Sequence, residues 1–171
     1  MQVHVRHLFI SPGHNFFGRH GQPPGPHPTV AVERVQCREG RGIEGDRFFG
    51  YKEDYRGQIT FFDFAVFENI KRALEVPGLS PGAFRRNAVV EGLDLPSLVG
   101  VRFMLGEVEF EGCGESSPCH WMNQAVGPGA EAWLKGKGGL RAKIRRDGSL
   151  DCGPVPFAIV SGQLALEPPT L

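Results

Sequence analysis

No sign of charge dominates this chain: 19 lysines and arginines stand against 19 aspartates and glutamates in 171 residues. That balance excludes a general electrostatic pull toward nucleic acid or an anionic membrane, so any anion site has to be local. Long apolar runs are also missing. Nothing approaches the roughly 20 residues of a bilayer-spanning helix. The first seven residues, Met1-Gln2-Val3-His4-Val5-Arg6-His7, alternate polar with apolar instead of building the apolar centre of a secretory signal. We therefore expect a cytoplasmic protein with no nucleic-acid and no membrane partner. The cysteines are few, Cys37, Cys113, Cys119 and Cys152, and contain no CxxC pair. Neither a zinc knuckle nor an iron–sulfur motif is visible, and in a reducing compartment free thiols are expected.

Glycine and proline, by contrast, are abundant. With 24 and 14 of them set against short apolar runs rich in Val, Ile and Phe, the chain reads as many turns and short strands. A hydrophobic content of 40% argues against low-complexity disorder, and the length predicts a single domain over 1–171. Val3 to Ile10 is the first expected strand. Residues 11–28 form an irregular loop whose His14, His20 and His27 match no familiar metal-ligand spacing. Thr29 to Cys37 alternates again, with Val30, Val32 and Val35 as an inward face. Gly40 to Arg47 then supplies turns around Asp46, which can orient an arginine, accept backbone amides or act as a base.

Gln58 to Phe62 is β-rich, and Asp63 caps the one convincing helix, Asp63 to about Val76, with Val66, Phe67, Ile70 and Leu74 facing the core. Ser80-Pro81 reads as a cap and first-turn proline. Asn87 to Val90 is a short strand. Val101–Leu105 and Val108–Glu111 flank Gly106-Glu107 as a two-residue hairpin with Gly in the type II′ position. Short helices are expected at Trp121–Val126 and Gly129–Leu134, and Asp147-Gly148 signals a second hairpin after Leu140–Ile144. Val155–Val160 and Leu164–Leu166 complete the set. About eight strands and one amphipathic helix predict a mainly β fold, an antiparallel, Greek-key-like β-barrel with one substantial helix and a few short ones.

The chemistry concentrates in Glu115-Ser116-Ser117-Pro118-Cys119-His120-Trp121. Pro118 restricts both itself and Ser117, so the backbone reaching Cys119 has little freedom. A thiol presented this way can be a nucleophile or a soft-metal ligand, or simply a small buried hydrophobe. His120 beside it can lower the thiol's pKa if its ring turns toward the sulfur. Arg85, Arg86, Arg141 and Lys143 are candidate anion-binding cations, since arginine's planar fork suits phosphate. Arg145-Arg146 reads as a solvated turn face.

The order Gly42-Ile43-Glu44-Gly45-Asp46, Gly57-Gln58-Ile59-Thr60, Arg86-Asn87-Ala88-Val89-Val90-Glu91-Gly92, Pro118-Cys119 and Gly138-Gly139-Leu140-Arg141-Ala142 resembles the MOSC domain family, in its stand-alone bacterial form. The likeness spans about Ile43 to Val155. It departs where many relatives read Gly-Glu-Asn against Arg85-Arg86-Asn87 here, and where a late Gly-Asp is Gly153-Pro154. The resemblance implies a β-barrel that holds a molybdenum–pterin cofactor, with the family's cysteine falling on Cys119 as metal ligand or sulfur relay. Beside that resemblance, the residues themselves offer candidate cofactor contacts at Arg85, Arg86, Asn87, Arg141, Lys143, Gly138 and Gly139, with Asp46, Cys119 and His120 as candidate catalytic residues. The implied activity is an oxidoreductase acting on small substrates, with N-hydroxylated compounds among the candidates, and with a separate electron-donor protein. The alternatives are a sulfur carrier or sulfurtransferase using a Cys119 persulfide from a sulfur-donor protein, and a non-catalytic cofactor-binding module.

Overall fold

The computed structural model describes residues 1–161. The expected strand at Leu164–Leu166 lies outside them. Among the described residues there are eleven strands: β1 (Gln2–Ile10), β2 (Val30–Val32), β3 (Arg34–Arg38), β4 (Gly42–Ile43), β5 (Ile59–Asp63), β6 (Ala88–Glu91), β7 (Arg102–Leu105), β8 (Val108–Glu115), β9 (Leu140–Ile144), β10 (Gly148–Asp151) and β11 (Gly153–Ser161). Three α-helices, α1 (Phe64–Ala73), α2 (Trp121–Ala125) and α3 (Ala130–Leu134), and two 3-10 turns, Pro81–Phe84 and Leu95–Leu98, complete it.

Seven strands run in the order β11-β7-β8-β9-β5-β6-β1, and β1 pairs back onto β11 to close a barrel. The barrel is mixed, which corrects the antiparallel expectation. Its β5–β6 pair is parallel, with Phe61 opposite Ala88, while its other strand pairs are antiparallel. The cause is α1: a chain that leaves β5 into a ten-residue helix comes back along the same direction, as a crossover connection requires.

Alternation sorts the strands' side chains into two cores. Inside the barrel pack Val5, Ile59, Phe61, Ala88, Val90, Phe103, Phe110 and Leu140, all close to fully buried. Their neighbours Phe62 and Val89 point the other way, under α1, α2 and α3, where they meet Phe67, Ile70, Phe84, Met122 and Leu134. β5 is therefore apolar on both faces, and Phe62 stacks on Phe84 with centroids 4.5 Å apart. Helix α1 starts where Asp63 Oδ1 accepts from the Ala65 amide at 2.8 Å. It ends at Ala73, three residues before the expected Val76, with Leu74 as its C-cap.

The stretch 29–37 is not one strand. It splits at Glu33 into β2, which pairs with the far half of β1, and β3, which pairs with β10 and β4 in a separate small sheet. Val30 is consequently 42% exposed while Val35 is buried. The hairpin at Gly106-Glu107 has Leu105 opposite Val108 and a left-handed Gly106 (φ 63°). Asp147-Gly148 makes no hairpin: β9 stays in the barrel, and β10 crosses to β3. The reason is the carboxylate itself, since Asp147 accepts from the Glu39 amide at 2.6 Å and from Arg38, tying this turn to the end of β3.

Candidate functional site

Four irregular segments converge at one end of the barrel: the loop leaving β1, the segment after β4, the link from Pro81–Phe84 into β6, and the chain leaving β8. Together they enclose a cavity of about 520 Å³, within the range of small-molecule sites. Its walls include Phe16, Phe48, Trp121, Arg47, Arg85, Arg86 and Cys119.

Arg86 organises the floor. Its Nε donates to the Gly138 carbonyl at 2.9 Å, Nη1 to Phe84 O at 3.1 Å and Nη2 to Ser116 O at 2.9 Å. Every one of these acceptors is a neutral backbone oxygen. Burial pushes this guanidinium down to about 10, with Arg47 and Arg141 adding to the shift and Cys119 and Glu115 opposing it. Arg86 therefore remains charged at neutral pH and brings positive charge beneath the cavity, offset in part by Glu115.

Arg85 adopts a left-handed backbone (φ 53°), an uncommon conformation for a residue with a side chain. Its side chain takes different partners: Ser11 Oγ at 2.8 Å, Gly13 O at 2.9 Å, Thr29 Oγ1 at 3.1 Å and His27 O at 3.4 Å. These bonds, with Asn15 Nδ2 donating to His27 O at 2.7 Å, pin the 11–28 loop over the cavity. Burial, with Arg47 adding, pushes Arg85 down to about 10. Phe16 of this loop lies 4.9 Å from Trp121.

Asp46 is buried beneath that loop. It accepts from the Ser11 amide at 3.1 Å and the Phe48 amide at 3.3 Å and pairs with Arg47 at 3.3 Å. Its carboxylate holds Arg47 and the loop and is not among the groups lining the cavity. The preceding Gly40 to Gly45 carries glycines at the spacing of a dinucleotide fingerprint. Here it holds the turn after β3 and β4 itself and opens no helix, so the phosphate cradle of that motif is not formed.

The four thiols separate cleanly. Cys119 is exposed and lines the cavity, and among the described residues no hydrogen bond engages its sulfur. Cys37 is fully buried in the barrel core, where burial pushes its thiol up to about 12. Cys152 is raised by burial and donates to Val32 O at 3.6 Å. Cys113 donates to Glu111 O at 3.4 Å and does not line the cavity. His120 follows Cys119, but its ring sits 4.9 Å from Trp121 and 6.2 Å from His20, with no hydrogen bond to the sulfur.

Asn87 does not reach the cavity. It is 4% exposed, and its Oδ1 accepts from the Thr60 amide at 3.0 Å and hydroxyl at 3.1 Å while Nδ2 donates to Phe9 O at 3.2 Å. The expectation that it offers its amide to a ligand fails, because those groups brace β5, β6 and β1. Gly138 and Gly139 also serve packing. A Cβ on Gly138 would stand 2.2 Å from Ser116 O, and one on Gly139 2.1 Å from Phe61 O. Arg141 and Lys143 lie further out: Arg141 donates to Tyr55 Oη at 3.0 Å and Lys143 pairs with Asp54 at 2.7 Å.

Reasoning from sequence passed over Phe48 and Phe16 and gave no role of their own to Arg47 and Trp121, which it named only as ends of the Gly40 and Glu115 segments. Only Arg47 had a signal, since an aspartate in a glycine-rich turn can orient an arginine. His14 and His20 line the cavity, and burial, with Arg47 adding, lowers the His14 pKa. No group of three side chains suited to a metal ion occurs among the described residues. Nor, among them, is any helix long and apolar enough to cross a membrane.

The family model for the MOSC domain matches residues 24–165. The chain belongs to the MOSC domain family. That family is linked to molybdenum-cofactor binding. Among solved structures it is similar to the YuaD protein from Bacillus subtilis, with a TM-score of 0.75 at 20% identity over 94% of this chain and 98% of that one. It is also similar to YiiM from Geobacillus stearothermophilus, TM-score 0.67 at 16% identity, covering 93% and 75%. YiiM from Escherichia coli gives 0.60 at 19%, covering 94% and 70%. At these identities the likeness is one of fold. No curated protein matches in sequence.

Proposed function

We propose that this MOSC domain binds a molybdenum–pterin cofactor with Cys119 as a sulfur ligand to the metal. We further propose that it is an oxidoreductase for small, N-hydroxylated substrates, supplied with electrons by a separate donor protein. The observation that carries the reading is the meeting of one exposed, unbonded thiol with Arg47, Arg85 and Arg86 around a single aromatic-walled cavity.

The residues fit such a group. Guanidinium groups on the floor suit a phosphate, aromatic rings suit a planar heterocycle, and a thiolate is a soft ligand that molybdenum accepts. Arg86 and Arg47 would hold the anionic end, and Cys119 the metal. When bound, the cofactor supplies two-electron exchange and oxygen-atom transfer. The chain's own residues do the rest. Arg85 holds the covering loop in place, and Phe16, Phe48 and Trp121 exclude water. In that drier space the arginines' charge acts more strongly on a bound anion. The imidazoles of His20 and His120 stand at the cavity edge, where a ring N–H can pass a proton to substrate.

The test is titration of the apoprotein with molybdenum–pterin released from a donor enzyme, followed by quenching of Trp121 fluorescence. Arg86→Lys keeps a positive charge but loses the fork, and is expected to weaken binding at least tenfold while Arg146→Ala leaves it unchanged. Equal affinity for both variants contradicts the reading.

A second reading is favoured by the exposure of the Cys119 sulfur: a carrier that holds a persulfide and passes it to an acceptor. Mass spectrometry after incubation with a persulfide donor then finds one added sulfur on Cys119 with no need for metal. A chain that retains molybdenum yet turns over nothing with an artificial electron donor would be a non-catalytic binding module.

A further inference from the structure

The cavity beside Cys119 does not end at Arg86. It shares Arg47, Phe48, Arg85 and Arg86 with a narrower one of about 180 Å³, which shares Tyr55 and Arg141 with an open depression of about 640 Å³. The three make one trough, and its outer limb has a composition of its own. Lys52, Arg56, Arg141 and Lys143 line it together with the carboxylates of Glu53 and Asp54, but of these four cations only Lys143 has a carboxylate within ion-pair distance among the described residues, Asp54 at 2.7 Å. Arg56 is turned to the Cys113 carbonyl.

Aromatic rings interleave with these cations. Tyr55 carries the Lys52 ammonium 5.5 Å from its ring centre and the Arg141 guanidinium 5.7 Å away. Tyr51 sits 4.9 Å from Tyr55 and is 41% exposed; Phe17, from the pinned loop, sits 6.0 Å from Tyr51 and is 62% exposed. Both rings touch neighbours, Phe17 on His14 at 5.2 Å and Tyr51 on Phe48 at 5.6 Å, yet each leaves much of its surface bare next to cations at the mouth of the trough. They match a ligand that is planar and aromatic at one end and anionic at the other. A bare anion would leave the rings idle, and an apolar ligand would leave the cations unpaired.

We propose that the outer limb binds a nucleoside monophosphate group, its base stacked on one of the two exposed rings, Tyr51 or Phe17, with the other ring edge-on beside it, and its phosphate held by Lys52 and Arg141. The group can belong to a free nucleotide or to the nucleotide end of a larger ligand whose other end lies beside Cys119. This subsite stands on its own residues and does not require the molybdenum reading.

The test titrates the purified full chain with AMP, GMP, ribose 5-phosphate and inorganic phosphate, monitored by calorimetry. Both nucleotides are expected to bind at least tenfold more tightly than ribose 5-phosphate or phosphate. Tyr51→Ala and Lys52→Ala, both on the surface, should each lower nucleotide affinity at least fivefold, and Arg146→Ala should not. Denaturing mass spectrometry of the protein as purified distinguishes the sources: a released mononucleotide marks a free ligand, a heavier nucleotide-bearing compound an extended one. Nucleotides binding no better than ribose 5-phosphate, or Tyr51→Ala and Lys52→Ala binding as the wild type does, overturn the proposal. Loss of molybdenum binding with nucleotide affinity intact would count against the proposed function and not against this subsite.

Discussion

Arg86 Nη2 donates to the Ser116 carbonyl at 2.9 Å, and Ser116 lies three residues before Cys119. One guanidinium thus fixes the path of the thiol-bearing segment while its charge faces the cavity that the thiol lines. Arg86→Met removes donors from three carbonyls at once and is expected to lower stability by about 2–4 kcal/mol in urea denaturation, besides abolishing anion binding. A loss under about 1 kcal/mol would mean that water replaces the arginine at those oxygens.

The same segment rests on Gly138, where a Cβ would meet Ser116 O at 2.2 Å and Pro118 Cδ at 3.0 Å. Backbone cannot yield there without moving Cys119. Gly138→Ala is therefore expected to cost about 3 kcal/mol or more and to change the alkylation rate of Cys119. An unchanged rate would show that the segment tolerates the displacement.

Ile70 is fully buried between α1 and the outer face of the barrel. Ile70→Ala should lose about 2–5 kcal/mol, read from the shift in urea midpoint. Its neighbour Asn69 is exposed, and Asn69→Ala should change stability by less than about 0.5 kcal/mol.

Glu111 accepts from Arg145 Nε at 2.7 Å, and this bond, against a smaller effect of burial, holds its carboxyl below the ordinary range. The folded pKa is thus lower than the unfolded value of about 4.3. Stability from the pair is complete above that value and is lost as pH falls through the folded pKa. Glu111→Gln should be less stable than the wild type at pH 7 and approach it in acid. A gap that stays constant from neutral to acid pH would assign the effect to packing.

Much of the barrel was legible because its strands alternate or run apolar in short, turn-bounded pieces, and because Asp63 and the stripe Val66, Phe67, Ile70, Leu74 mark α1. The parallel β5–β6 pair was not legible, since periodicity reports which face a residue takes and not which strand lies beside it. Asp147-Gly148 misled for a related reason: a local turn signal cannot reveal that the carboxylate is claimed by Glu39, 108 positions away. In the site, Cys119 stood out through Pro118 and its polar neighbours, and Arg86 through its place beside a buried strand. Asn87 was misassigned because its amide is satisfied by Thr60 and Phe9, partners brought near only by the fold. The aromatic walls Phe16, Phe48 and Trp121 come from separate segments and leave no shared local pattern.

The most direct test is elemental analysis of molybdenum in protein purified from cells with an intact cofactor supply, comparing wild type, Cys119→Ser and Cys113→Ser. Serine fills a similar volume but is a harder, far less acidic ligand, so thermal stability should hold in both variants. The wild type and Cys113→Ser are predicted to retain the metal and Cys119→Ser to lose it; molybdenum kept by Cys119→Ser and lost by Cys113→Ser would contradict the account.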